Sequence, residues 1–229
     1  LYYIRRLLAN GWAADEVLPL FTLFVDERAD FFVTVALLRA VRKTWARLMR
    51  QKFQAKRSES LKLKMTAYSH GGETLAEPAN NIVRITLAAL AYVFGGVQFL
   101  YNASYDEVLG TPGEDAARIA IRTQQILMHE MGITQTTDPF GGAYLIEKMT
   151  KEIAIKLEAQ IERVESMGGA KAAIEKGYYV SHITDGAVRR QRAFDQGRRV
   201  SVGVNKYRLD QGLPANTFRV DTSTDSRQL

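Results

Sequence analysis

The sequence has no cysteine among its 229 residues. This absence excludes disulfides and thiolate metal sites, and it fits a reducing cytoplasm, which is where we expect the protein. Long apolar runs are absent too: none approaches the roughly 18 residues that a membrane-spanning helix needs, so we predict no membrane partner. The first residues have neither an initiator methionine nor a signal-peptide pattern, and they are typical of the tail of an amphipathic helix. We therefore expect the sequence to begin inside a structural element.

Sequence motifs that identify a catalytic or ligand-binding site are also scarce. The three histidines lack the His-Glu-x-x-His spacing of a zinc site, so we predict no metal centre, and neither a Walker-type loop nor Gly-x-Gly-x-x-Gly occurs. His129 and His182 fall within predicted helices or near their start, where a structural role is more common than a catalytic one. His70, which precedes two glycines, is the histidine best placed for a function.

Acidic residues are missing between Asp30 and Glu59, whereas eight basic residues occur from Arg39 to Arg57. Most of these cations lie along one predicted helix, where a solvated face is the ordinary interpretation and an anionic partner such as a nucleotide phosphate is the alternative. Aromatic residues are not interleaved with them as on a single-strand binding surface. Despite the formal net charge of +6, we therefore expect no nucleic-acid partner.

Apolar strands alternate with amphipathic helices over the first part of the chain. The continuous apolar run at residues 19–25 predicts a strand buried on both faces, after which Asp26 opens a long helix that reaches Gln54. Further strands are predicted at residues 60–68 and 97–101, and further helices at 82–90, capped by Asn80 or Asn81, and at 114–131. Strand–helix alternation with short connections indicates a parallel α/β fold.

Three strand–helix units are too few to close an eight-stranded barrel, which typically needs about 250 residues. We therefore predict that residues 1–135 form part of a (β/α)8 TIM barrel, whose other half comes from an N-terminal segment or another chain. Residues 136–215 predict a mainly helical extension, with helices at 143–167, 170–176 and 181–196 and a short strand at 200–204. Residues 216–229 are typical of a polar tail.

In parallel barrels the chemistry lies at the carboxyl ends of the strands. Three polar loops follow predicted strands here, at residues 26–28, 69–73 and 102–107. Asp26 and Asp106 in these loops have an equally good structural interpretation, because such residues often cap helices or order turns. The residues taken alone thus predict half of an α/β barrel whose chemistry stays open.

Several strings occur in an order that is similar to the cobalamin-dependent acyl-CoA mutase family, the methylmalonyl-CoA mutases. Any one of them is common by chance, but the ordered set extends across nearly the whole chain. It includes Asn80-Asn-Ile-Val-Arg84, Phe94-Gly-Gly-Val-Gln98, Ser104-Tyr-Asp-Glu107, Ala116-Ala-Arg-Ile-Ala120, Asp138-Pro-Phe-Gly-Gly142, Met167-Gly-Gly169, Arg189-Arg-Gln191 and Val202-Gly-Val-Asn-Lys-Tyr207. The resemblance is to the carboxyl-terminal half of the barrel domain in the large, catalytic subunit, so the three units would be the last three.

The resemblance implies an activity and several partners. In this family the coenzyme A chain of the substrate runs along the barrel axis, and a separate domain holds adenosylcobalamin against the barrel mouth. Homolysis of the cobalt–carbon bond starts a radical 1,2-rearrangement of the acyl skeleton, while the protein orients the substrate and excludes water. The implied partners are an acyl-CoA substrate, a cobalamin-binding domain or subunit and the N-terminal half of the barrel.

Two sets of site residues are implied by the same resemblance. The first would contact coenzyme A phosphates or ribose and consists of Arg57, Ser58, Lys62 and Lys64. Lys62 and Lys64 are two residues apart and so point to one side of a strand; the alternative is that both are merely exposed lysines. The second set would face the substrate and the corrin ring and consists of Gln98, Tyr101, Asn102 and Ser104.

The sequence also departs from the family pattern. Tyr101 stands where the family usually has histidine, Asn102-Ala103 replaces Thr-Asn, and residues 68–73 replace a Gln-Thr-Ser-Gly-type stretch. His70 is the candidate to replace a lost polar contact, and His70 and Tyr101 are the only candidates for catalysis in this chain. The family's Tyr–His pair and its Asp-x-His-x-x-Gly cobalamin motif are not in the sequence.

These departures leave three hypotheses. The first is a component of an acyl-CoA mutase that acts on methylmalonyl-CoA by default or on a variant short or branched acyl group. The second is a non-catalytic, mutase-like subunit that serves assembly or interaction. The third, a nucleotide- or RNA-binding module that uses the basic helix, is the least favoured. By the first hypothesis the chain is an incomplete isomerase and does not turn over alone.

Overall fold

The computed structural model describes residues 1–26, 30–70 and 74–209, and at its centre lies a parallel sheet. The sheet contains β1 (Thr22–Val25), β2 (Lys64–Ser69) and β3 (Phe99–Asn102), in that spatial order. Leu23 pairs with Met65, and Ala67 pairs with Leu100, so neighbouring strands are in parallel register. The predicted α/β fold with three parallel strands is therefore confirmed, although the described residues form an open sheet and not a closed barrel.

Helices account for most of the remaining structure. They are α1 (Tyr2–Ala9), α2 (Ala14–Val17), α3 (Phe31–Phe53), α4 (Asn80–Gly95), α5 (Glu114–His129), α6 (Tyr144–Ser166), α7 (Gly169–Glu175) and α8 (Tyr178–Asp195). Because parallel neighbours need crossover connections, α3 joins β1 to β2 and α4 joins β2 to β3. Both helices cover the same face of the sheet, where Leu38 and Tyr92 pack against Met65 and Ala67.

A second helical layer lies outside the first, because α6 packs along α3. Val35 and Ile146 are buried together between these two helices. Arg39 of α3 forms ion pairs with Asp138 and with Glu147, the latter at 2.6 Å. The helix that opens the predicted extension is thus packed directly on the strand–helix units.

Part of the basic run on α3 is used inside the protein. Both terminal nitrogens of the Arg39 guanidinium form ion pairs, and its side chain is only 13% exposed. Arg42 donates to the carbonyl oxygens of Gly95 and Gly96 at the end of α4, and its burial lowers the pKa of its guanidinium. The expectation of a mainly solvated basic face is therefore wrong for these two arginines. Arg47 forms an ion pair with Glu158 of α6, but its side chain is 49% exposed.

Several predicted boundaries are also wrong. The long helix begins at Phe31 and not at Asp26, because Asp30 has extended dihedrals of −98° and 109° and occupies the N-cap position. Residues 60–68 do not form one strand: Glu59–Leu61 is a 3₁₀ turn in which the Ser60 amide donates to the Arg57 carbonyl. Asn80 is the first residue of α4, and neither Asn80 nor Asn81 makes a side-chain capping bond to this helix.

The first strand differs most from its prediction. Residues 18–20 form a 3₁₀ turn, so only four residues of the apolar run are extended. The strand is not buried on both faces, since Phe24 is 61% exposed. The physical reason is that β1 lies at the edge of the sheet and only one face of that sheet is covered by helices.

Toward the end of the described chain, residues 200–204 do not form the predicted strand. They belong to a turn with a single bridge between Val202 and Lys206. The turn is closed by Asn205, whose Oδ1 accepts from the Ser201 amide at 2.7 Å. The predicted tail at residues 216–229 lies outside the described residues, and the division at residue 135 stays a prediction.

Candidate functional site

The two faces of the sheet have opposite environments. Residues of β2 alternate, with Met65, Ala67 and Ser69 buried and the intervening side chains more exposed. The strand register puts the more exposed set on one face, which we call the open face. It consists of Thr22, Phe24, Lys64, Thr66, Tyr68, Phe99 and Tyr101.

Aromatic side chains dominate the middle of the open face. Phe24, Thr66 and Phe99 form one row across the three strands, and Tyr68 and Tyr101 are partners in a neighbouring row. Phe99 and Tyr101 are 60% and 57% exposed. An exposed aromatic row of this kind is typical of a surface that binds a ligand or another part of a protein.

Polar groups gather where β2 and β3 end. The Tyr68 hydroxyl donates a hydrogen bond to the Glu107 carboxylate, which follows β3. The His70 ring stacks on the Tyr68 ring with 6.0 Å between centroids, and Tyr101 is paired with Tyr68 in the register. The structure thus brings both predicted catalytic candidates, His70 and Tyr101, to the same edge of the sheet.

Tyr68 and Glu107 were not among the predicted site residues. Two signals pointed to them: Tyr68 is two residues beyond Thr66 on an alternating strand, and Glu107 closes the polar string that follows β3. The bond between them depends on how β2 and β3 pair, which the sequence does not specify by itself. Together with His70 and Tyr101 they form the candidate site.

Asn102 and Ser104 lie elsewhere. Asn102 is on the helix-covered face, where its Oδ1 accepts from the Ser69 hydroxyl at 2.8 Å and its Nδ2 donates to the Ala120 carbonyl at 3.3 Å. Ser104 is buried, and its hydroxyl has no hydrogen-bond partner among the described residues. Asn102 therefore supports the edge from behind, and the predicted contact of both residues with substrate stays a prediction.

Asp106 orders the loop that follows β3. Its Oδ2 accepts from the Gly113 amide at 2.9 Å, which closes the loop in front of α5. This contact agrees with the turn-ordering interpretation of an aspartate after a strand. Asp26 is exposed just after β1, and residues 27–28 and 71–73, which complete the other two predicted loops, lie outside the described residues.

The four predicted coenzyme A contacts lie at the opposite end of β2. Lys64 is the first residue of this strand, and Lys62 is exposed, 3.8 Å from Glu59. Because a strand rises by roughly 3.3 Å per residue, Lys64 and Tyr68 of the candidate site are separated by about 13 Å along the open face. The open face therefore has cations at its amino end and polar aromatic groups at its carboxyl end.

Arg57 and Ser58 precede this strand in a segment that Asp15 holds in place. The Asp15 carboxylate accepts from the Ser60 hydroxyl at 2.6 Å and from the backbone amides of Lys56 and Arg57. The Ser60 hydroxyl, followed by these amides, holds the pKa of Asp15 below its ordinary value. The Ser58 hydroxyl donates to Glu59 at 2.9 Å.

Gln98 belongs to the amino end of the sheet as well. Its Oε1 accepts from the Met65 amide at 2.8 Å, and its Nε2 donates to the Gly96 carbonyl at 3.0 Å. The side chain therefore extends the ladder between β2 and β3 just before β3 begins. The structure places Gln98 apart from Tyr101, with which it was grouped as substrate-facing.

Comparison with known proteins decides which family these features belong to. The family model described as methylmalonyl-CoA mutase matches residues 1–229. The chain belongs to the methylmalonyl-CoA mutase family. The recognition based on ordered strings is thereby confirmed.

Relatives within the methylmalonyl-CoA mutase family are similar over nearly all of this chain. Methylmalonyl-CoA mutase of Rhizobium meliloti (strain 1021) is 40% identical over 223 residues, which cover 96% of this chain and 31% of the relative. The protein named "Methylmalonyl-CoA mutase, mitochondrial" from Homo sapiens is 40% identical over 234 residues, covering 100% and 31%. A probable mitochondrial methylmalonyl-CoA mutase of Caenorhabditis elegans is 37% identical and is covered over 30% of its length.

The chain therefore spans about a third of the length of these methylmalonyl-CoA mutases. Within the part of the chain that the structure describes, no three His, Asp or Glu side chains are grouped so that they would hold a metal ion. No helix in the described ranges is both long and apolar enough to cross a membrane.

Proposed function

We propose that this chain is part of an adenosylcobalamin-dependent acyl-CoA mutase, an isomerase that rearranges the carbon skeleton of a short or branched acyl-CoA by radical chemistry. Methylmalonyl-CoA and succinyl-CoA are the default pair, because the relatives carry the name methylmalonyl-CoA mutase. The observation that carries the proposal is the open face, with cations at its amino end and the candidate site at its carboxyl end.

The amino end of the open face suits the nucleotide part of coenzyme A. Lys62 and Lys64 alternate with Leu63 and Met65, which are buried in the core, so both ammonium groups are directed away from it. Charge-assisted hydrogen bonds from such cations to phosphate oxygens are among the stronger polar contacts in proteins. Arg57 and Ser58 add a guanidinium and a hydroxyl just before the strand.

The carboxyl end of the open face suits the reacting groups. Adenosylcobalamin, when bound there, supplies the radical through homolysis of its cobalt–carbon bond. The exposed Tyr101 ring fits a large flat macrocycle, because such a ring offers apolar area together with a polar tip. The other groups of the candidate site would orient the acyl group and help to exclude water. Most of the cofactor contacts would come from a domain outside this chain.

The proposed partners would complete what this chain leaves open. The N-terminal half of the barrel, in the same polypeptide or another, would cover the aromatic row of the open face and so close the substrate channel. A cobalamin-binding domain would cover the carboxyl edge. We propose the cytoplasm as the compartment of this protein, whereas the animal relatives are named mitochondrial.

One observation favours the second hypothesis, a mutase-like subunit without catalysis. Tyr101 stands where the family pattern has histidine, residues 68–73 replace its Gln-Thr-Ser-Gly-type stretch, and the Tyr68 hydroxyl is already hydrogen-bonded to the Glu107 carboxylate. A site whose polar groups bond to each other has fewer groups to offer a substrate. The experiment below separates the two functions.

The first test is spectroscopic and uses the complete enzyme. Adenosylcobalamin and then a panel of acyl-CoA esters are added anaerobically, and cob(II)alamin is followed by its visible absorption. A mutase should form cob(II)alamin with at least one ester and should convert that ester to its isomer. Binding of an acyl-CoA without homolysis or product would support the non-catalytic subunit and reject the proposal.

The second test concerns the cations. Lys64→Ala should raise the Kd of a coenzyme A ester by about tenfold, because a lost charge-assisted hydrogen bond is worth roughly 1.5–3 kcal/mol. Lys171→Ala is the matched control, since its side chain is 69% exposed on α7 and is paired with Glu175. Equal affinity of Lys64→Ala and the control would remove Lys64 from the site.

A further inference from the structure

A fully buried amide lies beneath the candidate site. Asn81, the second residue of α4, is 0% exposed. Its Nδ2 donates to the Thr74 carbonyl at 3.0 Å and to the Tyr105 carbonyl at 2.9 Å. Its Oδ1 accepts from the Thr74 amide at 3.0 Å and from Arg84 at 2.7 Å. Both donors and both acceptor positions of the amide are thus used.

These contacts connect the two segments that hold the candidate site. Thr74 belongs to the connection that follows β2 and His70, whereas Tyr105 belongs to the loop that follows β3 and precedes Glu107. On the open face, the Tyr68–Glu107 bond likewise joins the end of β2 to the loop that follows β3. Asn81 does so from the interior, where water does not compete for its bonds.

Arg84 holds the Asn81 amide in its orientation. One guanidinium nitrogen, Nη1, donates both to Asn81 Oδ1 and to the Thr74 hydroxyl, the latter at 3.1 Å. The other, Nη2, donates to the Val202 carbonyl at 2.8 Å, which belongs to the turn after α8. Because a cation is bound to the oxygen side, the NH₂ side of Asn81 is directed at the two carbonyls.

We propose that Asn81 is a positioning residue for the candidate site: through the Tyr105 carbonyl it sets the place of the loop after β3, and so of Glu107, relative to Tyr68 and His70. The proposal rests on the mutase function proposed above, but the contacts that carry it do not depend on that function. A displacement of reacting groups by about 1 Å can lower a rate by roughly a hundredfold.

The test is Asn81→Asp in the complete enzyme. Aspartate keeps an acceptor for the Thr74 amide and Arg84, but it loses both donors and sets a carboxylate oxygen against the carbonyls of Thr74 and Tyr105. We expect faster hydrogen exchange at amides 104–110, with exchange in β2 and α3 unchanged. We expect kcat to fall by on the order of tenfold to a hundredfold, with the Kd of the coenzyme A ester unchanged.

Asn80→Ala is the matched control, because the neighbouring amide bonds to Glu77 and lies outside this network. It should leave both exchange in the loop and kcat at their original values. If Asn81→Asp fails to fold, Arg84→Gln is used instead. This change removes the half-buried guanidinium that donates to Asn81 Oδ1. It should change loop exchange and kcat in the same direction but by less.

Three results would overturn the proposal. The first is wild-type exchange at amides 104–110 in Asn81→Asp. The second is an increase in exchange spread evenly over β2, α3 and α4, which would indicate a merely structural role, and the third is a parallel rise in the Kd of the coenzyme A ester. If the unmodified enzyme has no mutase activity, the proposed function fails, while the exchange measurement still decides whether Asn81 holds the loop.

Discussion

The covered and open faces of the sheet are built from the same three strands but differ in what lies on them. Behind the covered face stand two helical layers, first α3 and α4 and then α6. On the open face Phe24, Phe99 and Tyr101 are each more than half exposed. One face therefore stabilises this chain, and the other is available for function.

The difference explains why an apolar strand can be exposed. The side chains of β2 alternate between a buried set and a set on the open face. In β1, by contrast, apolar side chains stand on both faces, so the run is apolar even where it is exposed. Exposed aromatic area is costly unless something covers it. We propose that the cover is the rest of the barrel together with the substrate, so the open face should change its character in the complete enzyme.

The largest predicted effect separates the faces directly. Met65→Ala removes a fully buried core side chain and should lower the free energy of unfolding of this chain by about 3 kcal/mol. Phe99→Ala removes a larger side chain from the open face and should lower the free energy of unfolding by less than about 1 kcal/mol. Denaturant titration of both variants measures the difference.

The same pair sharpens the comparison in the complete enzyme. If the rest of the barrel covers the open face, Phe99→Ala should become several-fold more destabilising there, while Met65→Ala should keep its effect. Equal losses for both variants in the isolated chain would contradict the assignment of an open face. An unchanged, small loss for Phe99→Ala in the complete enzyme would contradict the proposed cover.

An intermediate effect is expected in the outer layer of the covered side. Arg39→Met should cost about 1–2 kcal/mol of unfolding free energy, because it leaves Asp138 and Glu147 without their shared cation. Arg47→Met is the control: it breaks one ion pair with a half-exposed arginine and should cost less than about 1 kcal/mol. Thermal unfolding in low salt measures both, and equal costs would show that α6 is not fixed through Arg39.

Much of the fold could be predicted from local pattern. The helix of residues 114–131 was predicted within two residues of its end, because its apolar spacing, acidic first turn and closing glycine agree. The strand at residues 19–25 was not, since a continuous apolar run does not show which side a neighbour covers. The role of Arg39 on α3 was misinterpreted because its acidic partners are about 100 residues away in sequence.

The candidate site was predictable in part. The sequence predicted polar loops at residues 69–73 and 102–107, and parallel strands place such loops at one edge of the sheet. Position alone did not show that Asn102 turns to the covered face, because that depends on how β3 pairs with β2, and the register sets Asn102 beside the buried Ser69. The hydrogen-bond network of Asn81 was missed for a related reason: its partners, Thr74 and Tyr105, converge only in the folded chain.

The smallest predicted effect compares two adjacent residues of β2 that face opposite ways. Ser69→Ala removes a buried donor from Asn102 Oδ1 and should cost about 1–2 kcal/mol of unfolding free energy. Tyr68→Phe removes the donor to Glu107 on the open face, where water can replace it, and should cost less than about 0.5 kcal/mol.

The consequence of Tyr68→Phe should be functional, because a freed Glu107 carboxylate alters the carboxyl edge while the ring on which His70 stacks is kept. Denaturant titration gives the two stabilities, and acyl-CoA turnover by the complete enzyme gives the functional effect. If Tyr68→Phe were as destabilising as Ser69→Ala, the Tyr68–Glu107 bond would belong to the fold, and the open face would be structural at its carboxyl end as well.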